Sequence, residues 1–417
     1  MDLEVVTVGT ELLLGFTLDS NAADISRALA AIGARVVRKS TVGDDPRAIR
    51  SAVSDGLERT GFVIITGGLG PTRDDLTKRA VAKIFDAPLD LDTRYLAVLR
   101  ERFAKLGRGP MPESNRTQAE VPRGSVILAN RRGTAPGLWL EGGQGTAVLL
   151  PGIPREMNGL MEGEVVPRIK ERLATSRTEA LVTKSQTLRT TGISESRLAD
   201  RLESTIPRLD EVSLAYLPTA FGVDLRLTAW QLPTGEADAV LARAVQLMLG
   251  TLSKDYYGDG DADLAAVVLD RLRNDDLRCS IAESCTGGLV SARMTAIPGS
   301  SEVFAGGVVC YSNESKIREL GVSASVIQEH GAVSEQVAKQ MVDGVCGRFE
   351  TGAGVAVTGI AGPGGASRAK PVGTVWIAAR VGEVQRSLQR WFPGDREAVR
   401  QRSAQAALDL VRRLLPD

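Results

Sequence analysis

A single histidine, His330, serves the whole 417-residue chain. It cannot build a multi-histidine metal site, and any Ser-His-Asp triad would hang on that one residue. Cysteines are few as well. Cys279, Cys285, Cys310 and Cys346 form no C-x-x-C pair, so neither a zinc site nor a disulfide framework is signalled. Neither sign of charge is in excess, 51 Lys and Arg standing against 51 Asp and Glu. That balance leaves no electrostatic footprint for nucleic acid or an anionic membrane. No apolar run approaches the length of a membrane span, and MDLEVVTVGTELL at the start lacks a basic flank and a cleavage site. A cytoplasmic protein without membrane or nucleic-acid partners is expected. Its chemistry must come from Asp, Glu, Lys, Ser, Thr, Tyr and Arg.

What is present is a globular composition, 43% hydrophobic, at a length that calls for roughly two or three domains. Leu3–Gly9, Ala34–Arg38 and Gly61–Thr66 read as strands, and Asn21–Ile32 and Pro46–Arg59 as helices. This alternation argues for a parallel α/β sheet, with a ligand at the carboxyl ends of the strands. Those ends carry Thr10–Glu11, Gly43–Asp45 and Gly67–Asp75. In the last of them Gly67, Gly68 and Gly70 free the backbone to wrap phosphates. Asp74 and Asp75 are candidate ligands for a hard divalent cation, with Glu11 and Asp44 as further donors. The same carboxylates are equally suited to capping helices.

From Glu179 to Gly250 the pattern becomes a small α+β unit whose first helix opens with Gly192–Ser196, GISES. A nucleic-acid-binding GxxG loop needs a second glycine and basic flanks, and both are missing. A structural or dimerising insert is expected. The polar, glycine-bearing Leu252–Asp263 reads as a linker, giving domains at 1–175, 176–250 and 261–417 with 251–260 between the last two.

The C-terminal part is organised around Ala282–Gly288, AESCTGG. It is a turn between an apolar strand and a helix, with glycines that let backbone approach a ligand and a helix start that offers N–H groups to an anion. The candidate hydroxyls within this part are Ser284, Thr286, Ser300, Ser301, Tyr311 and Thr358, and the candidate bases are Lys316 and His330. A lysine removes a serine proton once burial lowers its pKa enough to leave part of it neutral. The alternative is an exposed helical lysine and a capping serine. Cys285 is a rival nucleophile with His330 as partner, or else a small buried hydrophobe. Arg396, opening the last helix, suits a bidentate phosphate contact.

AESCTGG, PGSS, YSNESK, HGAVSE, TGIAGPGG, KPVGTVW and GDREAVR, in this order, resemble the C-terminal half of the CinA (competence/damage-inducible) family. GTELLLG, TGGLGPTRDD, ESNRTQA, GTAPG and LPGIPREM resemble its N-terminal half, so the resemblance covers essentially the whole chain. It implies a molybdopterin-binding-like α/β domain, a KH-type α+β domain and an α/β nicotinamide mononucleotide deamidase domain. It further implies a metal-free Ser/Lys amidohydrolase with Ser284 as nucleophile, Lys316 as base and Tyr311 nearby. Thr286, Gly287, Gly288, Thr358, Gly359 and Arg396 fall at substrate-side positions. For the N-terminal site it implies ADP-ribose or a related nucleotide, hydrolysed with a divalent metal near Asp74 and Asp75. A homodimer is implied too. A molybdopterin-activating enzyme and a non-enzymatic competence or repair protein are the other readings. At Gly362–Gly373 this chain has GPGGASRAKPVG where relatives commonly read GPGGGTPEKPVG, so the resemblance is less direct at that loop.

Overall fold

The computed structural model describes residues 1–105, 109–176, 181–209 and 211–416. The chain divides into two compact units, Met1–Lys184 with Trp230–Ala239, and Ser185–Ala229 with Val240–Asp417.

In the first unit the order is β1 (Asp2–Val8), α1 (Thr10–Leu13), α2 (Ser20–Ala30), β2 (Arg35–Val42), α3 (Pro46–Thr60), β3 (Phe62–Thr66), α4 (Thr77–Ile84), β4 (Leu89–Leu91) and α5 (Thr93–Lys105). There follow β5 (Glu120–Pro122), β6 (Val126–Leu128), β7 (Gly137–Gly142), β8 (Gly145–Leu150), α6 (Pro154–Leu160) and α7 (Val166–Ser176). The main sheet runs β2-β1-β3-β8-β7-β6. Its first four strands are parallel, and β7 and β6 add antiparallel to them. Alternation along the strands builds two core layers. Leu3, Val5, Phe62 and Ile64 pack on one face with Ile25 and Leu29, while Val6, Val8, Val63 and Ile65 pack on the other with Ile49 and Val53. The Asp19 and Asp45 carboxylates accept the Ala22 and Ala48 N–H groups and so fix where α2 and α3 begin.

The middle segment is a sheet of order β10-β11-β9-β12 with two helices. Its elements are β9 (Leu181–Thr190), α8 (Glu195–Leu202), β10 (Val212–Pro218), β11 (Val223–Pro233), α9 (Thr234–Leu252) and β12 (Tyr256–Asp259). Glu179, where the sequence pattern changes, lies outside the described residues. The expected linker is corrected: α9 runs to Leu252, and Tyr256–Asp259 pairs antiparallel with β9 as an edge strand. Backbone pairing, which the polar side chains of YYGD do not reveal, makes it part of the fold.

The rest of the second unit comprises α10 (Leu264–Asn274), β13 (Cys279–Glu283), α11 (Leu289–Thr295), β14 (Phe304–Val309), α12 (Asn313–Leu320), α13 (Ala324–His330), α14 (Glu335–Phe349), β15 (Ala353–Gly359), β16 (Thr374–Val381), β17 (Val384–Trp391) and α15 (Arg396–Leu414). The sheet order is β14-β13-β15-β16-β17, the first three strands parallel and the last two antiparallel. Ile281 and Val355 face α10 and α15, whereas Ala282 and Ala356 face α14. The wholly buried β13 therefore delivers Ser284 to the carboxyl edge of the sheet. Among the described residues no helix is long and apolar enough to cross a membrane.

Candidate active site

Ser284 leaves β13 with its N–H held by the Val357 carbonyl of the neighbouring strand, 2.9 Å away. Lys316 reaches it from α12. That helix starts with a reciprocal box in which the Ser312 hydroxyl accepts the Ser315 N–H and the Ser315 hydroxyl accepts the Ser312 N–H. This fixes the first turn so that the next residue, Lys316, turns inward and is 1% exposed. Its Nζ lies 3.0 Å from Ser284 Oγ, 2.9 Å from the Cys310 carbonyl and 3.3 Å from the Tyr311 carbonyl. A neutral amine has two N–H donors and one lone pair. An ammonium would donate to all three partners, whereas the neutral amine gives its two N–H groups to the carbonyls and keeps its lone pair for the serine proton. Burial lowers the Lys316 pKa, and among the described residues no carboxylate pairs with it. The neighbouring Cys285 and Cys310 thiols favour its cation only as thiolates, yet burial pushes both thiols up, Cys285 to about 12. They stay protonated at neutral pH and leave burial unopposed.

The turn after Ser284 is fastened from within. Glu283 is fully buried, and its carboxylate accepts the N–H groups of Gly288 (3.0 Å), Val290 (3.0 Å) and Ser291 (2.9 Å) and the Ser291 hydroxyl (2.7 Å). Gly287 N–H goes to the Ser284 carbonyl at 3.1 Å. Gly287 and Gly288 both take positive φ, 60° and 95°, which a side chain would resist. The expectation of an open helix start is therefore corrected. Glu283 already fills the α11 terminus, and neither glycine N–H is free for a substrate. The Thr286 N–H has no acceptor among the described residues, and the Cys285 N–H meets only its own side chain. The Thr286 hydroxyl is buried without a partner. Arg400, which the sequence reading missed, places Nη2 3.1 Å and Nε 3.4 Å from the Thr286 carbonyl.

Tyr311 contributes its carbonyl to Lys316, and its hydroxyl accepts from Arg396 Nη2 at 2.8 Å. Arg396 Nη1 holds the Gly362 carbonyl at 2.6 Å, so this exposed guanidinium joins Tyr311 to the loop that departs from the family pattern. Thr358 spends its hydroxyl proton on the Ala332 carbonyl (2.8 Å). Gly359 is a packing requirement, since a Cβ there would stand 2.7 Å from Val375 and 3.1 Å from Cys285 Sγ. The rival nucleophile is disfavoured because Cys285 is buried and its thiol pushed up to about 12. The His330 ring faces Glu329 (3.6 Å). Ser300 and Ser301 lie in a separate turn, Ser300–Glu302, beyond α11. A cavity of about 570 Å³ in this unit is lined by Gly192–Glu195 of GISES, the β10–β11 turn, β17 and α15, and does not include Ser284.

In the first unit a cavity of about 470 Å³ is lined by Gly68, Gly70, Thr72, Asp75, Lys78 and Arg79 among others. Gly67 supports it from behind, because a Cβ there would meet the Val8 carbonyl at 2.1 Å. Lys78 was not foreseen. It is 8% exposed, donates to the Thr117 carbonyl, and burial lowers its pKa to about 8. The structure gives the expected carboxylates their places. Asp44 accepts the Thr10 N–H (2.9 Å) and hydroxyl (2.8 Å). Asp75 accepts the Thr72 N–H at 2.8 Å and the Thr72 hydroxyl as well. Glu11 lies exposed on α1. Among the described residues no three His, Cys, Asp or Glu side chains are grouped to hold a metal ion.

Residues 261–415 match the family described as the CinA C-terminal domain, 4–171 the probable molybdopterin binding domain, and 185–258 the damage-inducible protein CinA KH domain. A CinA-like protein of Gemmatimonas aurantiaca is 50% identical over 414 residues, 99% of this chain and 96% of its own length. A putative competence-damage inducible protein of Caldicellulosiruptor saccharolyticus is 39% identical over 100% of this chain and 99% of that one. The crystal structure of competence/damage inducible protein CihA from Agrobacterium tumefaciens is 40% identical, covers 35% of this chain and 90% of its own, and has a TM-score of 0.34.

Proposed function

The chain belongs to the CinA family, and on that premise we propose that its second unit hydrolyses the carboxamide of nicotinamide mononucleotide to the acid and ammonia. The observation that carries this is the buried Lys316 Nζ standing 3.0 Å from Ser284 Oγ. Neutral Lys316 takes the hydroxyl proton as Ser284 attacks the amide carbon. The oxyanion meets the N–H groups of Cys285 and Thr286. Lys316 then gives the proton to the amide nitrogen, the C–N bond breaks, and ammonia leaves. Water, deprotonated by the same amine, opens the acyl-enzyme and restores Ser284. Arg396 offers its guanidinium to the phosphate, and the substrate's own positive ring disfavours a charged Lys316.

Ammonia release from nicotinamide mononucleotide, assayed with chelator for the parent, Ser284→Ala and Lys316→Ala, tests the proposal. Activity in the parent and loss in both folded variants supports it. Retained activity in Ser284→Ala sinks it.

The glycine-lined cavity beside Lys78 and Arg79 favours a second reading, in which the first unit binds the diphosphate of ADP-ribose or a related nucleotide. Among the described residues its carboxylates are not grouped into an all-protein metal cage. Diphosphate hydrolysis by the isolated cavity chemistry is tested by ADP-ribose turnover with and without added Mg²⁺, and no turnover in either removes this reading.

A further inference from the structure

The turn that carries Ser284 is gripped at both its donors and its acceptor by opposite charges. On one side the Glu283 carboxylate collects four hydrogen bonds, three from backbone N–H groups of Gly288, Val290 and Ser291. On the other the Arg400 guanidinium meets the Thr286 carbonyl and is itself steadied by Glu397 at 2.7 Å. Both glycines of the turn sit at positive φ, so its conformation is not one the backbone favours unaided outside glycine. An unheld α11 terminus would present its N–H groups to any anion. Glu283 occupies it here, which leaves the Thr286 N–H, with the Cys285 N–H that meets only its own side chain, as the donors beside the nucleophile.

We infer that Glu283 and Arg400 are positioning residues: together they clamp residues 284–288 so that the Cys285 and Thr286 N–H groups aim at the oxyanion and Ser284 Oγ stays on Lys316. Neither side chain touches the substrate in this scheme. Each acts through the backbone of the turn. The inference rests on the proposed amidohydrolase reading.

Three variants test it. Glu283→Gln keeps the volume but turns N–H donors against the N–H groups the carboxylate now serves. It is expected to lower kcat about 100-fold with KM within about threefold, since a displacement near 1 Å is enough for such a loss. Arg400→Gln, on a partly exposed side chain, lowers kcat about tenfold with little change in KM, and Arg400→Lys recovers part of the loss. Ser291→Ala removes a single hydroxyl contact to Glu283 and gives a smaller kcat loss of about threefold, which keeps the Glu283 arm testable should Glu283→Gln fail to fold. A crystal structure of Glu283→Gln, or of Arg400→Gln in its place, is expected to show the turn displaced and Ser284 Oγ out of hydrogen-bond range of Lys316. That readout needs no turnover, so it separates failure of the clamp from failure of the amidohydrolase reading. The inference is overturned if Glu283→Gln keeps both kcat and the turn geometry. It is equally overturned if Arg400→Gln raises KM with kcat unchanged, which would make Arg400 a substrate-binding residue.

Discussion

Each unit buries one lysine beside a glycine-bearing turn, and the two lysines are set for opposite work. Lys316 and Lys78 are both lowered by burial. Both donate to backbone carbonyls. The difference lies in what else is within reach. Lys316 has a buried hydroxyl at 3.0 Å, and only its neutral form can receive that proton. Lys78 faces a cavity wall with Arg79 and glycines, where only its cation assists an anion. Burial alone therefore does not say whether a lysine is a base or an anion holder. Its remaining partner does.

The largest expected effect separates the two directly. Lys316→Met should cut ammonia release by on the order of 10³-fold, the scale of general base catalysis. Lys78→Met should leave ammonia release unchanged and weaken nucleotide binding to the first unit about tenfold, read by calorimetric titration with ADP-ribose. Equal losses of ammonia release in both variants would erase the distinction.

The pH dependences should run in opposite senses. The deamidation kcat/KM should climb as pH rises through the lowered Lys316 pKa, because the neutral amine is the active form. Nucleotide affinity of the first unit should fall as pH rises through about 8, where Lys78 loses its charge. Parallel pH profiles would contradict the contrast.

Stability gives a smaller signal of known sign. Lys78 has a folded pKa of about 8 against an ordinary 10.5, so between those values the unfolded chain binds more protons and stability rises with pH. The urea midpoint of the parent should therefore gain on that of Lys78→Met from about pH 8 to 9.5, the buried thiols that act in the opposite sense being common to both. Above pH 10 the buried Tyr95, pushed up to about 12, lowers the stability of both alike, because the unfolded tyrosine ionises first. The smallest effect is expected for Cys285→Ala. Ammonia release should stay within about threefold, since a buried thiol raised to about 12 supplies no thiolate.

The strands and helices were legible because they rest on local pattern, as Ile281 and Val355 show. Residue chemistry made Ser284 and Lys316 candidates with a capping serine and an exposed lysine as the alternative, and the family resemblance joined them as nucleophile and base. What escaped depends on distance in space. Glu283 had no assigned role within AESCTGG, yet folding returns the α11 terminus to it across Gly287 and Gly288. Arg400 is 114 residues from the Thr286 carbonyl it holds. The carboxylates at the strand ends show the converse. Asp44 and Asp75 each have a threonine to satisfy, so nearness to one sheet edge did not bring them together. The edge strand Tyr256–Asp259 was hidden because its strand character comes from pairing with β9.

Helix α15 has a consequence for anyone who divides this protein into pieces. Its first turns bring Arg396 and Arg400 to the Ser284 side, while near its other end Arg412, 3% exposed, donates to the Lys254 and Tyr256 carbonyls and Arg413 pairs with Asp255 at 2.8 Å. A fragment cut at residue 261 would remove those three acceptors and leave Arg412 and Arg413 with Asp409 of their own helix. A fragment that begins before Lys254 keeps the edge strand and both sets of partners.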